Sequence, residues 1–148
     1  MQMIAVSRVV LDTNVIISAL LQPVGAPAQT FVLALGGPLQ LCVSANIYAE
    51  YEEVISRPRF KRSEEIISST LRAIREKGFW VRPTTRLHVC ADPDDNMFLE
   101  CAQTAHAEYL VTGNLKHFPP TWESTRIVTS SVSVRLKKTA CVCSCGAA

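Results

Sequence analysis

No apolar run in the sequence approaches the ~18 residues that a membrane-spanning helix requires, so no span and no membrane partner are expected. Arg8 breaks the N-terminal stretch before it could form the apolar core of a signal peptide, and the chain reads as soluble and cytoplasmic. Charge is sparse as well. Charged residues make up 19% against 48% hydrophobic, with a mean hydropathy of +0.17, which excludes intrinsic disorder. Without a signal peptide, the six cysteines read as reduced thiols rather than a disulfide framework. Cys42, Cys90 and Cys101 lie in apolar surroundings and are expected in the core. Cys141, Cys143 and Cys145 are spaced too tightly for the usual zinc pattern and have no fourth ligand, so residues 137–148 read as a frayed extension. Aspartate is scarcest of the acids. Only Asp12, Asp92, Asp94 and Asp95 occur, three of them in one short segment and the fourth at the end of an apolar run.

A chain of 148 residues is one ordinary domain, placed here at residues 1–136, and should bury roughly two-thirds of its unfolded surface. No internal repeat is seen. The net charge of +2 and pI near 8.3 neither demand nor forbid a nucleic-acid partner. Val9-Val10-Leu11 is a β-branched run that suits a strand buried on both faces. Helical spacing follows over Asn14–Leu21 and Pro27–Leu35, the first closed by Pro23 and the second by Gly36-Gly37-Pro38. Leu39–Val43 is a second buried strand, and Ser44 caps a helix from Asn46 to Ile55. Ser63 opens a further helix that Gly78 ends. Phe79-Trp80-Val81-Arg82 and Leu87-His88-Val89-Cys90 are short strand candidates, and Asp92-Pro93 starts a helix running to Ala107. Tyr109–Thr112 and Arg126–Thr129 are the last apolar runs. Strands alternating with helices imply a three-layer α/β domain with a parallel sheet and right-handed crossovers. Asp12, Ser44, Asp92 and the Thr112–Asn114 stretch should then gather at the rim formed by the strands' carboxyl ends.

Asp12 precedes a helix directly, so capping and functional readings stand level. On the helical wheel, Asp95 shares the inward face with Leu99, Ala102 and His106, whereas Asp94 is turned about 100° aside. Asp92 and Asp94 suit capping duties, and Asp95 is the functional candidate. The same wheel places Glu50 about 60° from Ile47, at the border of its apolar stripe, with Glu52 and Glu53 on the solvated face. Three carboxylates brought together from distant segments repel unless opposite charge neutralises them or some hold protons. A hard divalent cation, Mg²⁺ or Mn²⁺, is the economical counter-charge and can activate water against a phosphoryl group.

Four segments, in order, carry a resemblance: Val9-Val10-Leu11-Asp12-Thr13-Asn14, Ala49-Glu50-Tyr51-Glu52-Glu53, Asp92-Pro93-Asp94-Asp95-Asn96 and Tyr109-Leu110-Val111-Thr112-Gly113-Asn114. From about Val9 to Val128 the chain resembles the PIN-domain ribonucleases, and among them the stand-alone bacterial toxins of toxin–antitoxin pairs. The resemblance implies a Rossmann-like fold, binding of Mg²⁺ or Mn²⁺, and hydrolysis of single-stranded RNA to a 5′-phosphate and a 3′-hydroxyl. It also implies an antitoxin partner and a homodimer. The family's acidic positions fall on Asp12, Glu50 and Asp95. Many relatives have a fourth aspartate where this chain has Asn114, which keeps an acceptor oxygen but not the charge and so predicts a single ion.

Thr13, Ser44 and Thr112 are candidates to hold the carboxylates in place by hydrogen bonds. Arg57, Arg59, Lys61 and Arg62 surround Phe60 just beyond the Glu50 helix, and with Lys116 they are candidate RNA contacts; a solvated loop is the plainer alternative. His117 also follows the acidic rim. Two other functions compete with the nuclease. A catalytically weak PIN module could bind RNA or a protein partner without cutting, as Asn114 would favour. A haloacid-dehalogenase-type phosphatase would use Asp12 as nucleophile, but it expects an acid two residues later, where Asn14 stands.

Overall fold

The computed structural model describes residues 6–58 and 63–136. The Cys141, Cys143 and Cys145 tail lies outside these residues, as do Arg59, Lys61 and Arg62.

The apolar runs form the strands of one six-stranded sheet. In chain order the elements are β1 (Ser7–Leu11), α1 (Thr13–Leu21), α2 (Ala26–Gly36), β2 (Leu39–Val43), α3 (Ala45–Ile55), α4 (Glu64–Lys77) and β3 (Phe79–Trp80). A single 3-10 turn (Pro93–Asp95) then leads into α5 (Asn96–Ala105), followed by β4 (Tyr109–Val111), a second 3-10 turn (Leu115–His117), β5 (Thr121–Trp122) and β6 (Thr125–Val128). A last helix, α6, covers residues 130–136. The sheet order is β3-β2-β1-β4-β6-β5. Every pairing is parallel except β5 with β6, which run antiparallel, so the sheet is mixed and mostly parallel.

Val9, Val10 and Leu11 have no exposed surface, as expected of a strand covered on both faces. α2 packs on β2, and α5 packs on β1, β2 and β4. Successive strands step outward from β1 through β2 to β3, and the chain then returns to β4 on the other side of β1. The direction of travel therefore reverses between β1 and β4. That reversal opens a crevice at the carboxyl ends of these two strands, where α/β sheets bind their ligands.

Ser44 and Ser63 cap their helices as their positions imply, each hydroxyl accepting the amide three residues on, from Ile47 (3.3 Å) and Ile66 (3.2 Å). Two expectations need correction. Leu87–Cys90 is not a strand, because side chains of α5 take its amides: Leu87 N donates to Glu100 Oε2 (2.8 Å), and Val89 N and Cys90 N both donate to Asn96 Oδ1 (3.0 and 2.9 Å). No neighbouring strand is needed to satisfy them. Cys90, in this segment, is only half-buried, whereas Cys42 and Cys101 are core residues.

The helix expected over Asp92–Ala107 is shorter at both ends. Asp92 accepts the Asp94 amide (3.0 Å) and folds the first residues into a 3-10 turn. At the other end His106 adopts the left-handed conformation (φ 53°) and Ala107 N bonds Ala102 O (2.9 Å). His106 is therefore an exposed cap, not a member of the inward face. A side chain in the left-handed region costs about 1–2 kcal/mol that glycine avoids. We expect His106→Gly to raise the midpoint of thermal unfolding by about 2–4 °C in a domain of this size. An unchanged or lowered midpoint by calorimetry would show that the imidazole makes a compensating contact.

Candidate active site

The rim of the sheet collects acids from three elements. Asp12 follows β1, Glu50 projects from α3, and Asp95 ends the turn before α5. They line one cleft of about 470 Å³, which Asn114 and His117 also border.

Asp12 occupies the N-cap position of α1, yet its side chain makes no capping bond. Its backbone amide pairs with Val111 O (2.9 Å), and its Oδ2 accepts the Thr112 hydroxyl (2.7 Å). Thr112 is fully buried, and its own oxygen accepts the Asn114 amide (3.0 Å). With its lone pair engaged in this way, the hydroxyl proton is aimed at Asp12, an arrangement that suits an ionised carboxylate. Asp12 is only 7% exposed, and burial raises its pKa above the ordinary value; the Thr112 hydroxyl and the Thr13 and Asn14 amides work in the opposite direction.

Glu50 is held similarly, by the Thr13 hydroxyl at the head of α1. Burial raises its pKa first, and the negative charges of Asp12, Asp94 and Glu53 add to the rise. Its neighbours Glu52 and Glu53 are exposed, as the wheel anticipates. Tyr51, buried completely beside it, donates its hydroxyl to Leu11 O and ties α3 to the end of β1.

Asp95 is the most perturbed acid of the three. Burial, then the charges of Asp12 and Asp92, push its pKa up to about 6. Its side chain is 14% exposed, while Asp94 beside it is open to solvent. Asp95 Oδ2 is buried without a hydrogen-bond partner. Among the described residues its ion-pair partner is His117, whose Nδ1 lies 3.4 Å away without forming a hydrogen bond.

An orphaned buried carboxylate oxygen among acids whose pKa values are all raised, chiefly by burial, and which all offer oxygen donors suits a hard divalent cation. As the side chains stand, however, no three His, Cys, Asp or Glu residues among those described are close enough to hold an ion by themselves. Part of any coordination shell would have to be water.

The other sequence candidates are dispersed. Ser44 remains at its helix cap beside Trp80 and Arg82 and does not reach the acids. Arg57 borders the acidic cleft but pairs with Glu53 (3.0 Å). Lys116 is exposed on the second 3-10 turn, outside the cleft lining. Asn114 lies in the cleft wall with its backbone anchored to Thr112. Sequence reasoning gave Asn14 no part in the site. Its Oδ1 accepts the Gly113 amide (3.3 Å) and joins the head of α1 to the loop after β4. A polar residue two positions after the strand-ending acid was the available signal.

The chain has counterparts in sequence and in fold among known proteins. Residues 8–116 match the PIN domain, a span that contains every acid described above. An uncharacterised protein of Methanocaldococcus jannaschii is 32% identical over 110 residues, covering 72% of this chain and 70% of that protein. The crystal structure of VapBC2 from Rickettsia felis, bound to a DNA fragment from its promoter, contains a chain with a similar fold. The TM-score is 0.52 at 16% identity, over 81% of this chain and 96% of the other. On the length of the domain match, the chain belongs to the PIN domain family.

Proposed function

We propose that the protein is a metal-dependent endoribonuclease that hydrolyses single-stranded RNA. PIN domains are generally nucleases. The observation that carries the reading is the convergence of Asp12, Glu50 and Asp95 on one cleft, with Asp95 Oδ2 buried and unpartnered. Asp12, Glu50 and Asp95 would hold Mg²⁺ or Mn²⁺, in part through water. The bound ion would supply a nucleophile at neutral pH and offset charge on the phosphodiester. Water attacks phosphorus, the bond to the 3′-oxygen breaks, and that oxygen takes up a proton.

The chain's own groups prepare the site for this chemistry. Thr112 and Thr13 each fix one carboxylate oxygen, so the acids do not have to be ordered at the moment of reaction. Asn114 offers a neutral amide at the cleft wall for water or a phosphate oxygen. His117 borders the same cleft, with Nδ1 3.4 Å from Asp95 Oδ2. The phosphatase alternative fails on Asn14, which is engaged with Gly113 and carries no acid.

A toxin role, with an antitoxin that covers the cleft, fits the same surface. The VapBC2 neighbour supports this reading as a toxin–antitoxin complex of related fold. Leu21, Val24 and Val32, exposed around the α1–α2 turn, would serve contact with a second copy.

Cleavage of a labelled single-stranded RNA should require Mg²⁺ or Mn²⁺, stop with EDTA, and fall to the EDTA level in Asp12→Asn. RNA bound by the wild type but never cut would instead favour a binding module. Thr112→Val, which removes the hydroxyl aimed at Asp12, should lower activity or metal affinity by about ten- to a hundredfold. A variant indistinguishable from wild type would exclude that positioning role.

The acids also make stability depend on pH. Their folded-state pKa values lie above the unfolded ones, so the folded protein binds protons more tightly. This stabilisation is complete below the ordinary carboxylate range and is lost as pH rises through the folded values, with Asp95 at about 6. Metal-free protein should therefore melt lower at about pH 7.5 than at about pH 5. Mn²⁺ should raise the midpoint at the higher pH and have little effect at the lower, because the ligands must be deprotonated. A melting temperature that rises with pH in chelator would contradict the assignment.

A further inference from the structure

The cleft that holds the acids does not end with them. The strands of a parallel sheet finish at one rim, and β3 finishes there beside β2: Val43 pairs with Trp80, and Val81 N bonds Val43 O (2.9 Å). Beyond the turn that presents Asp95, a second depression of about 300 Å³ lies between Arg86, His88 and Asn46. A third, of about 380 Å³, shares Asn46 and is lined by Trp80 and Arg82. The turn Asp92–Asp95 contributes to both of the first two depressions, and Asn46 to both of the last two. The three depressions thus adjoin in turn, through Asp92–Asp95 and through Asn46, from the carboxylates to the edge strand, and together outline a rim groove.

Its chemistry differs from that of the acidic end. Trp80 is 42% exposed, an unusual position for the largest apolar side chain. It is also fixed: its indole Nε1 donates to Arg75 O (3.2 Å), and its ring packs against Tyr48 at 5.4 Å between centroids. Arg82 and Arg86 are exposed and have no hydrogen-bond or ion-pair partner among the described residues. Of the nearby acids, Glu100 is occupied by the Leu87 amide, which leaves Asp94. A rigid aromatic face beside unpaired guanidinium groups is what sequence-tolerant binding of single strands uses, bases stacking on the ring and phosphates meeting the cations.

We infer that the rim groove past Asn46 is a binding subsite for the flank of a single-stranded RNA whose scissile phosphate lies at Asp12, Glu50 and Asp95, with Arg82 and Arg86 meeting its phosphates and Trp80 stacking on a base. This rests on the nuclease reading and adds the path of the substrate to it.

The test uses the full chain with Asp12→Asn, so that RNA is bound and not consumed, and labelled oligoribonucleotides of about four and about twelve nucleotides. Anisotropy should show tighter binding of the longer strand. Adding Arg82→Ala and Arg86→Ala should weaken that strand about tenfold and reduce the magnitude of the slope of log affinity against log salt by about 1.4, the value for two phosphate contacts on a single strand. With Trp122→Phe leaving Trp80 as the sole tryptophan, saturating RNA should quench its emission, and Trp80→Leu should weaken binding while melting close to the parent. Unchanged affinity, slope and emission, in a protein whose wild type cuts RNA, would overturn the groove alone. A wild type that neither binds nor cuts RNA would overturn the nuclease reading along with it.

Discussion

The hydrogen bond from Thr112 to Asp12 spans the point at which the sheet reverses its direction of growth. It joins residues 100 apart in sequence, each one position beyond a buried strand, so the strands must be in register for it to form. That register, Val9 with Tyr109 and Leu11 with Val111, is enforced by side chains with almost no exposed surface. A slip of one residue would turn apolar side chains to the wrong face and carry the Thr112 hydroxyl away from its acceptor. The apolar core therefore sets the geometry of the polar site, and the same packing that stabilises the fold aims a donor at the central carboxylate.

The site opposes that stability. Asp12, Glu50 and Asp95 are each partly withdrawn from water; the charge of Asp12 makes Glu50 and Asp95 harder to ionise, and Glu50 adds to the effect on Asp95. Two are relieved by threonine hydroxyls, while Asp95 retains an oxygen with none. Strain of this kind persists where surrounding structure over-determines it and is concentrated at functional positions. Asp12 illustrates the balance: it stands at a helix cap, where the Thr13 and Asn14 amides favour its charge, while its carboxylate faces the cleft and accepts the Thr112 hydroxyl.

The central strands were legible because they are continuous apolar runs closed by polar residues, Asp12, Ser44, Thr112 and Thr129. Leu39–Val43 has the boundaries that the pattern implies. Glu50 and Asp95 could be separated from neighbouring acids because helical periodicity distinguishes a border position from an exposed one, and the accessibilities follow that distinction. The β5–β6 hairpin was not legible. Its first strand has two residues, and its turn places Glu123 in the left-handed region (φ 51°), where glycine or asparagine would have signalled it. Ser44 could not be told from a site residue by sequence, since a hydroxyl that caps a helix and one that orients a carboxylate follow strands in the same way.

The segment from Val81 to Asp92 posed the opposite problem. Leu87–Cys90 suggested a strand, but its amides are claimed by side chains of the following helix, Glu100 and Asn96, which no hydropathy pattern reveals. Asn96 is the centre of this arrangement. It is buried, accepts from Val89 and Cys90 through one oxygen, and donates through its Nδ2 to Pro93 O (3.2 Å). One side chain thereby fastens an irregular stretch to the turn that presents Asp95. A strand in its place would have presented its successive side chains on alternate faces. An irregular segment anchored at intervals can instead hold Arg86 toward the rim while keeping the backbone satisfied, which places cations beside an acidic centre without setting them against it.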